Sequence, residues 1–139
     1  MAPLYTLEVH TPYRLFFSDQ VQAISLTLSD GEAAIYANHV PLTAPVIPCL
    51  LKIRDKDGEW KTAYTSEGIL EVGKNKTILV SDDAEWPEEI DCERAKAAKE
   101  QAEQTIAEEG MFKFETKVAA DALRRANMRI RAWEEGKRG

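Results

Sequence analysis

A chain of 139 residues, 44% hydrophobic and 30% charged, has the make-up of a water-soluble globular protein, long enough for one core or for a core plus an appendage. Two cysteines exclude a disulfide framework and fit a reducing compartment. No apolar run approaches the ~18 residues of a membrane span, and the net charge of −6 disfavours nucleic acid as a partner.

The opening Met1-Ala2-Pro3-Leu4-Tyr5 has neither the order of a signal peptide nor that of a transit peptide, so the expectation is a cytosolic protein or one bound on the cytosolic side of something larger. From there to Trp86 the apolar residues alternate. Leu7 and Val9 lead, followed by Ile24, Leu26 and Leu28, then Cys49, Leu51 and Ile53, then Leu70 and Val72, and finally Ile78 and Val80. Period-2 spacing predicts strands with one buried face. Ser29-Asp30-Gly31, Asp55-Lys56-Asp57-Gly58 and Gly73-Lys74-Asn75-Lys76 supply the residues that hairpin turns require. Pro41, Pro45 and Pro48 confine their segment to an edge or to irregular structure. Many short strands at close spacing predict an antiparallel sandwich or barrel.

At Trp86-Pro87 the pattern changes to helical spacing. Asp91 is a candidate N-cap, and Glu88, Glu89 and Glu93 suit the positive end of a helix that runs to about Glu109, with Gly110 as its stop. A short loop around Met111 leads to a second helix from near Glu115 to about Glu135, with Gly136 as its stop. Its apolar seam is Ala119, Leu123, Ala126, Ile130 and Trp133, and Ala95, Ala98 and Ala102 form the seam of the first helix. So short a connection predicts antiparallel neighbours. Alanine forms helix readily but has little side chain to bury, so this hairpin is expected to be weakly held and to move. The domains expected are a β-sandwich over 1–86 and a helical pair over 87–139. Residues 114–139 carry four acids and seven bases; such a cationic helix either faces water or meets an anionic partner.

Chemistry-bearing residues are sparse. His10, His39, Cys49 and Cys92 lack metal-ligand spacing, and there is no phosphate loop, nucleophile elbow or paired-carboxylate motif, so catalysis by the chain alone is not expected. Two segments stand out. In the first, a turn and strand from Gly31 lead to Asn38-His39-Val40-Pro41, either an incidental surface loop or a polar tip that touches a partner. In the second, Ile90-Asp91-Cys92-Glu93-Arg94-Ala95, Asp91 and Arg94 are either a cap and a surface residue or part of an anion clamp. Arg125 and Arg129, spaced i, i+4, share a helix face and would complete that clamp, since guanidinium forks suit phosphate oxygens.

Gly31-Glu32 followed by Ile35-Tyr36 and His39-x-Pro41-Leu42, then Ser66-Glu67-Gly68-Ile69-Leu70-Glu71-Val72, Ile90-Asp91-x-x-Arg94-Ala95 and the closing helix pair together resemble the epsilon subunit of bacterial and chloroplast F-type ATP synthases over essentially the whole chain. The resemblance implies a ten-stranded β-sandwich with a helical hairpin, in a non-catalytic subunit of the rotor stalk. It implies gamma as a partner, and the c-ring loops, with Glu32 and His39 at the family's c-ring contact. It further implies a hairpin that either folds down or extends to the alpha and beta catalytic subunits and blocks ATP hydrolysis, the basic face Arg124, Arg125, Arg129 and Arg131 meeting acidic surfaces there. In some bacterial members ATP, a regulatory ligand and not an obligatory cofactor, holds the hairpin down; the matching positions are Glu85, Ile90, Asp91, Arg94, Ala95, Arg125 and Arg129. Such a subunit lies peripherally on the cytoplasmic face of the bacterial plasma membrane without inserting into it. The departures are Ala37-Asn38 for the usual Pro-Gly, Ile47-Pro48-Cys49 for Lys-Pro-Gly, Glu67 for a common Gly, and Gln101 where ATP-binding members carry a further Arg. Asn38 is expected to keep its turn in a left-handed conformation, and the turn at Cys49 to be rebuilt. Without the resemblance, the residues alone describe a β-sandwich binding module with a helical dimerisation tail.

Overall fold

The computed structural model describes residues 2–109 and 114–138. The chain divides into two compact units, Met1–Glu85 and Trp86–Gly139.

The first unit contains nine strands: β1 (Tyr5–His10), β2 (Leu15–Leu28), β3 (Gly31–Tyr36), β4 (Leu42–Val46), β5 (Cys49–Asp55), β6 (Trp60–Thr65), β7 (Gly68–Val72), β8 (Lys76–Ser81) and β9 (Ala84–Glu85). They follow one hydrogen-bonded path, β1-β8-β7-β4-β2-β5-β6-β9, with β3 added to β2 and β1 paired back onto β2. The pairings are antiparallel except β1 with β8, where Thr6 to His10 run parallel to Lys76 to Val80.

The 14-residue β2 explains how nine strands serve where ten were expected. Its first half pairs with β1, from Leu15 opposite His10 to Val21 opposite Tyr5. Its second half runs between β3 and β5, with a register shift between Val21 and Ala23. Counted once in each layer, β2 gives one layer with β1, β8, β7 and β4 and a second with β3, β5, β6 and β9. Most of the alternating apolar residues fill the space within this unit: Leu7, Ile24, Leu51, Ile53 and Leu70 are all fully buried. Each such side chain contributes about 1.5–3 kcal/mol. The expectation for Ile78 and Val80 is corrected, because β8 turns Thr77, Leu79 and Ser81 inward and leaves Val80 exposed.

The turns follow their residue types. Asn38 (φ 65°) and Asn75 (φ 63°) take the left-handed conformation, and Gly58 (φ 87°) closes the β5–β6 turn. Cys49 needs no such conformation because it is already the first, buried residue of β5, where its Sγ accepts a hydrogen bond from Thr27 N–H at 3.3 Å. The Ser66-Glu67-Gly68 corner is held by a buried polar network. Thr65 donates its hydroxyl proton to Ser81 Oγ (2.9 Å), Ser81 donates to the Asp83 carbonyl (2.7 Å), and Ser66 N–H reaches the same carbonyl at 2.9 Å. At Gly68 a Cβ would stand 2.1 Å from the Val80 carbonyl oxygen, so β7 can lie against β8 only without a side chain there.

The second unit comprises a 3₁₀ turn (Pro87–Glu89), α1 (Cys92–Glu109) and α2 (Phe114–Arg138). The expected stop at Gly110 and the loop around Met111 lie outside the described residues. The expected end of the second helix is corrected. α2 does not stop at Gly136 but continues through it to Arg138. Lys137 and Arg138 complement the negative end of its dipole. The seams are partly as expected: Ala95, Ala102, Ala119 and Ala126 are buried, whereas Ala98 is exposed. Ala132 is fully buried although it lies about 100° round the helix from Trp133, off the 4-3-4-3 seam.

Candidate functional site

The base of the helical unit is built from its first residues. Trp86 N–H donates to Glu89 Oε1 (2.9 Å), while Glu89 N–H and Ile90 N–H donate to the carbonyls of Trp86 (2.9 Å) and Pro87 (3.2 Å). These bonds close the 3₁₀ turn and deliver Ile90 into a buried position. Asp91 then caps α1: its Oδ1 accepts from Arg94 N–H at 3.1 Å, and its carbonyl accepts from Ala95 N–H at 3.0 Å. Arg94 is exposed and Ala95 buried. The cap reading of Asp91 is therefore realised in the structure, and it leaves the guanidinium of Arg94 at the surface.

The helices run antiparallel. Lys96 Nζ lies 5.8 Å from the centre of the Trp133 ring, and Ala102 and Ala119 line one shared groove. This register sets the first turn of α1, with Asp91 and Arg94, beside the last turns of α2, whereas Arg125 and Arg129 lie farther back, around the middle of that helix. Arg125 and Arg129 are half-buried, and they and Arg124 are already engaged by neighbouring groups, so an incoming anion must compete for them. Arg131 is exposed. Glu85 belongs to the other unit, where it ends β9 opposite Tyr64.

Farther along the pair, a groove of about 500 Å³ is lined by Ala98, Gln101, Ala102 and Thr105 of α1 and by Phe114, Glu115, Val118, Ala119 and Ala122 of α2. Gln101 thus stands on an apolar wall as a neutral side chain. Guanidinium groups suit a polyanion, but position 101 supplies none.

Glu32 is exposed at the start of β3, and His39 follows its end, with Nδ1 2.7 Å from the Val40 carbonyl oxygen. The strand between them spans about 13 Å at ~3.3 Å per residue, so the two can meet one surface only as separate points. The polar residues His10, His39, Cys49 and Cys92 are distributed among β1, the β3–β4 loop, β5 and α1. Among the described residues no group of His, Cys, Asp or Glu is arranged to hold a metal ion, and no helix is long and apolar enough to cross a membrane.

Sequence reasoning missed the residues that close the base of the hairpin. Gly136 lies against Pro87, and Trp133 is flanked by Lys96 and by Lys137, whose Nζ is 5.2 Å from the ring centre. A glycine inside the cationic last turn, paired with a proline at the entry to the unit, is the signal that could have found them.

A layered β unit followed by a capped helical pair is the two-domain architecture of the delta/epsilon type. The chain belongs to the ATP synthase delta/epsilon family: residues 4–87 match its beta-sandwich domain and residues 88–134 its long alpha-helix domain. It is 43% identical over 132 residues to the ATP synthase epsilon chain of Caldanaerobacter subterraneus, covering 94% of each chain. To the ATP synthase epsilon chain of Caldicellulosiruptor saccharolyticus it is 44% identical over 136 residues, covering 97% of each. Among solved structures, a chain of the Euglena gracilis mitochondrial ATP synthase shares the fold with a TM-score of 0.79 at 19% identity, over all of this chain and 84% of that one. A chain of the Tetrahymena thermophila central stalk and c-ring superposes with a TM-score of 0.60 at 17% identity, over 97% of each.

Proposed function

We propose that this chain is a non-catalytic rotor-stalk subunit of a bacterial F-type ATP synthase. Its sandwich binds gamma and rests on the c-ring loops, with Glu32 and His39 as contact points. Its helical pair leaves the sandwich and extends toward the alpha and beta catalytic subunits to inhibit ATP hydrolysis. The subunit then sits peripherally on the cytoplasmic face of the plasma membrane. The likeness to chains of a central stalk and c-ring assembly supports the location.

The observation that carries the regulatory part is the make-up of the second unit. It forms a compact body of its own beginning at Trp86. Among the described residues, its buried ones are Ile90, Cys92, Ala95, Ala102, Thr116, Ala119, Ala126 and Ala132, mostly one methyl group each. At ~25 cal/mol per Å² such side chains contribute little, so a few kcal/mol of competing contacts can shift the equilibrium of the pair. In the extended state Arg124, Arg125, Arg129 and Arg131 supply a basic face for acidic surfaces, which favours association and raises its rate. In the folded state Arg94, Arg125 and Arg129 bind the phosphates of ATP, beside Glu85, Ile90, Asp91 and Ala95. The two uses of Arg125 and Arg129 exclude each other, and that exclusion is the switch. Gln101 weakens the nucleotide arm: one missing charge-assisted contact costs about 1.5–3 kcal/mol, roughly ten- to a hundredfold in affinity.

The test is removal of residues 92–139 from the subunit within the assembled enzyme. ATP hydrolysis should rise while gamma and the c-ring still co-purify; unchanged hydrolysis would contradict the inhibitory role. Titration of the full chain with Mg-ATP tests the ligand, and absence of a saturable signal at millimolar nucleotide leaves the arginines to the extended state alone.

A further inference from the structure

Helix propensity argues against a glycine at position 136. Glycine within a helix loses more backbone freedom than alanine would and adds no contacts. Even so, α2 passes through it to Arg138. The reason lies opposite. A Cβ at position 136 would stand 2.4 Å from Pro87 Cβ and 3.1 Å from Pro87 Cγ, against the ~3.5–4.0 Å of a comfortable carbon–carbon contact. Only a bare backbone lets the last turn of α2 rest on the proline ring.

That ring is a firm seat. Proline fixes its own φ, and the turn that holds it is closed by the Trp86, Glu89 and Ile90 amide hydrogen bonds. The contact is also narrow. Beside it opens a cavity of about 300 Å³ lined by Pro87, Glu88, Trp133, Gly136 and Lys137, so packing around the clip is incomplete. The 3₁₀ turn is the first element of the helical unit, immediately after the boundary at Glu85.

We infer that Gly136 on Pro87 is a latch: the last turn of α2 clips onto the 3₁₀ turn, and the hairpin stays shut at its base only while this clip is made. The inference rests on the reading that the helical pair changes between a folded and an extended state. It adds a control point separate from Asp91, Arg94, Arg125 and Arg129, because neither partner of the clip carries a charge. Opening the hairpin and freeing the Pro87–Glu89 turn become one event.

The substitution Gly136→Ala tests this through a sign. Alanine is the better helix former, so if nothing faces position 136 the change should slow opening of α2. A latch requires the reverse. In the full chain, hydrogen exchange at the Glu89 and Ile90 amides and in the last turns of α2 should accelerate by about tenfold or more, while Leu51 and Leu79 in the strands stay protected. Pro87→Gly removes both clashing atoms, so in that background Gly136→Ala should slow exchange in α2 instead. Slower or unchanged exchange in the single variant, or equal acceleration in the Pro87→Gly background, overturns the latch. In the assembled enzyme, Gly136→Ala should lower ATP hydrolysis by releasing the inhibitory element. Faster exchange with unchanged hydrolysis sustains the latch and refutes the inhibitory reading on its own.

Discussion

Replacing Asp91 with alanine removes the acceptor of the 3.1 Å bond from Arg94 N–H and leaves the first turn of α1 without its cap. An N-cap of this kind is worth about 1 kcal/mol, within a range of roughly 0.5–2. The carboxylate charge at the helix start adds about 0.3–1 kcal/mol. Together these predict a loss of roughly 1–2 kcal/mol, or opening of the first turns about five to thirty times more often. Asp91→Asn keeps an acceptor in place and forfeits only the charge contribution, so it should cost less than about 1 kcal/mol. Amide exchange along α1, read beside a far-UV melting curve, separates the two variants. Equal losses for Ala and Asn, or no loss for Ala, would refute the capping argument. The same pair reports on the ligand: a carboxylate that contacts nucleotide directly makes Asn fail in Mg-ATP titration while its cap remains.

Gly68→Ala should destabilise the first unit by about 3 kcal/mol, at the upper end of overpacking costs. The new Cβ would meet the Val80 carbonyl oxygen at 2.1 Å and Ser81 Cα at 2.9 Å, backbone atoms that cannot swing aside. A urea midpoint close to wild type would show that the corner yields more easily than its bonding implies. At Glu8, hydrogen bonds from His10 (2.8 Å) and Lys76 (2.9 Å) hold the carboxyl below its ordinary value. A group whose folded value is depressed contributes stability above the unfolded value of 4.5 and loses it as pH falls through the folded value. The stability difference between wild type and Glu8→Gln should therefore shrink as pH falls below the unfolded value of 4.5, as urea midpoints would reveal; a difference independent of pH removes the assignment.

Strands were legible because one buried face imposes alternation, and Leu7, Val9, Leu51 and Ile53 record it directly. That one strand serves two layers was not, since a shift of register at Gln22 leaves little mark on a pattern of period two. The Thr65, Ser66 and Ser81 network was equally hidden: hydroxyl residues look like surface until their mutual bonds are seen. Asn38 and Asn75 were readable as left-handed turn residues, because few other side chains tolerate that conformation. Asp91 was readable as a cap for the same kind of local reason. Gly136 was misread because a glycine late in a helix ordinarily marks its end; what it faces, Pro87, lies 49 positions away in the chain and no local pattern encodes it. The shared face of Arg125 and Arg129 was visible through helical spacing, but where Arg94 stands relative to them depends on the antiparallel register, which sets it beside the last turns of α2 rather than beside Arg125 at its middle.

The double membership of β2 has a mechanical side. Two sheets joined merely by side-chain packing can slip when sheared, whereas here a continuous covalent backbone passes from one to the other between Val21 and Ala23. Load arriving on either face is carried across through bonds instead of grease. Denaturation should accordingly spread through the whole platform in a single sharp transition, with no lasting species in which half of it survives.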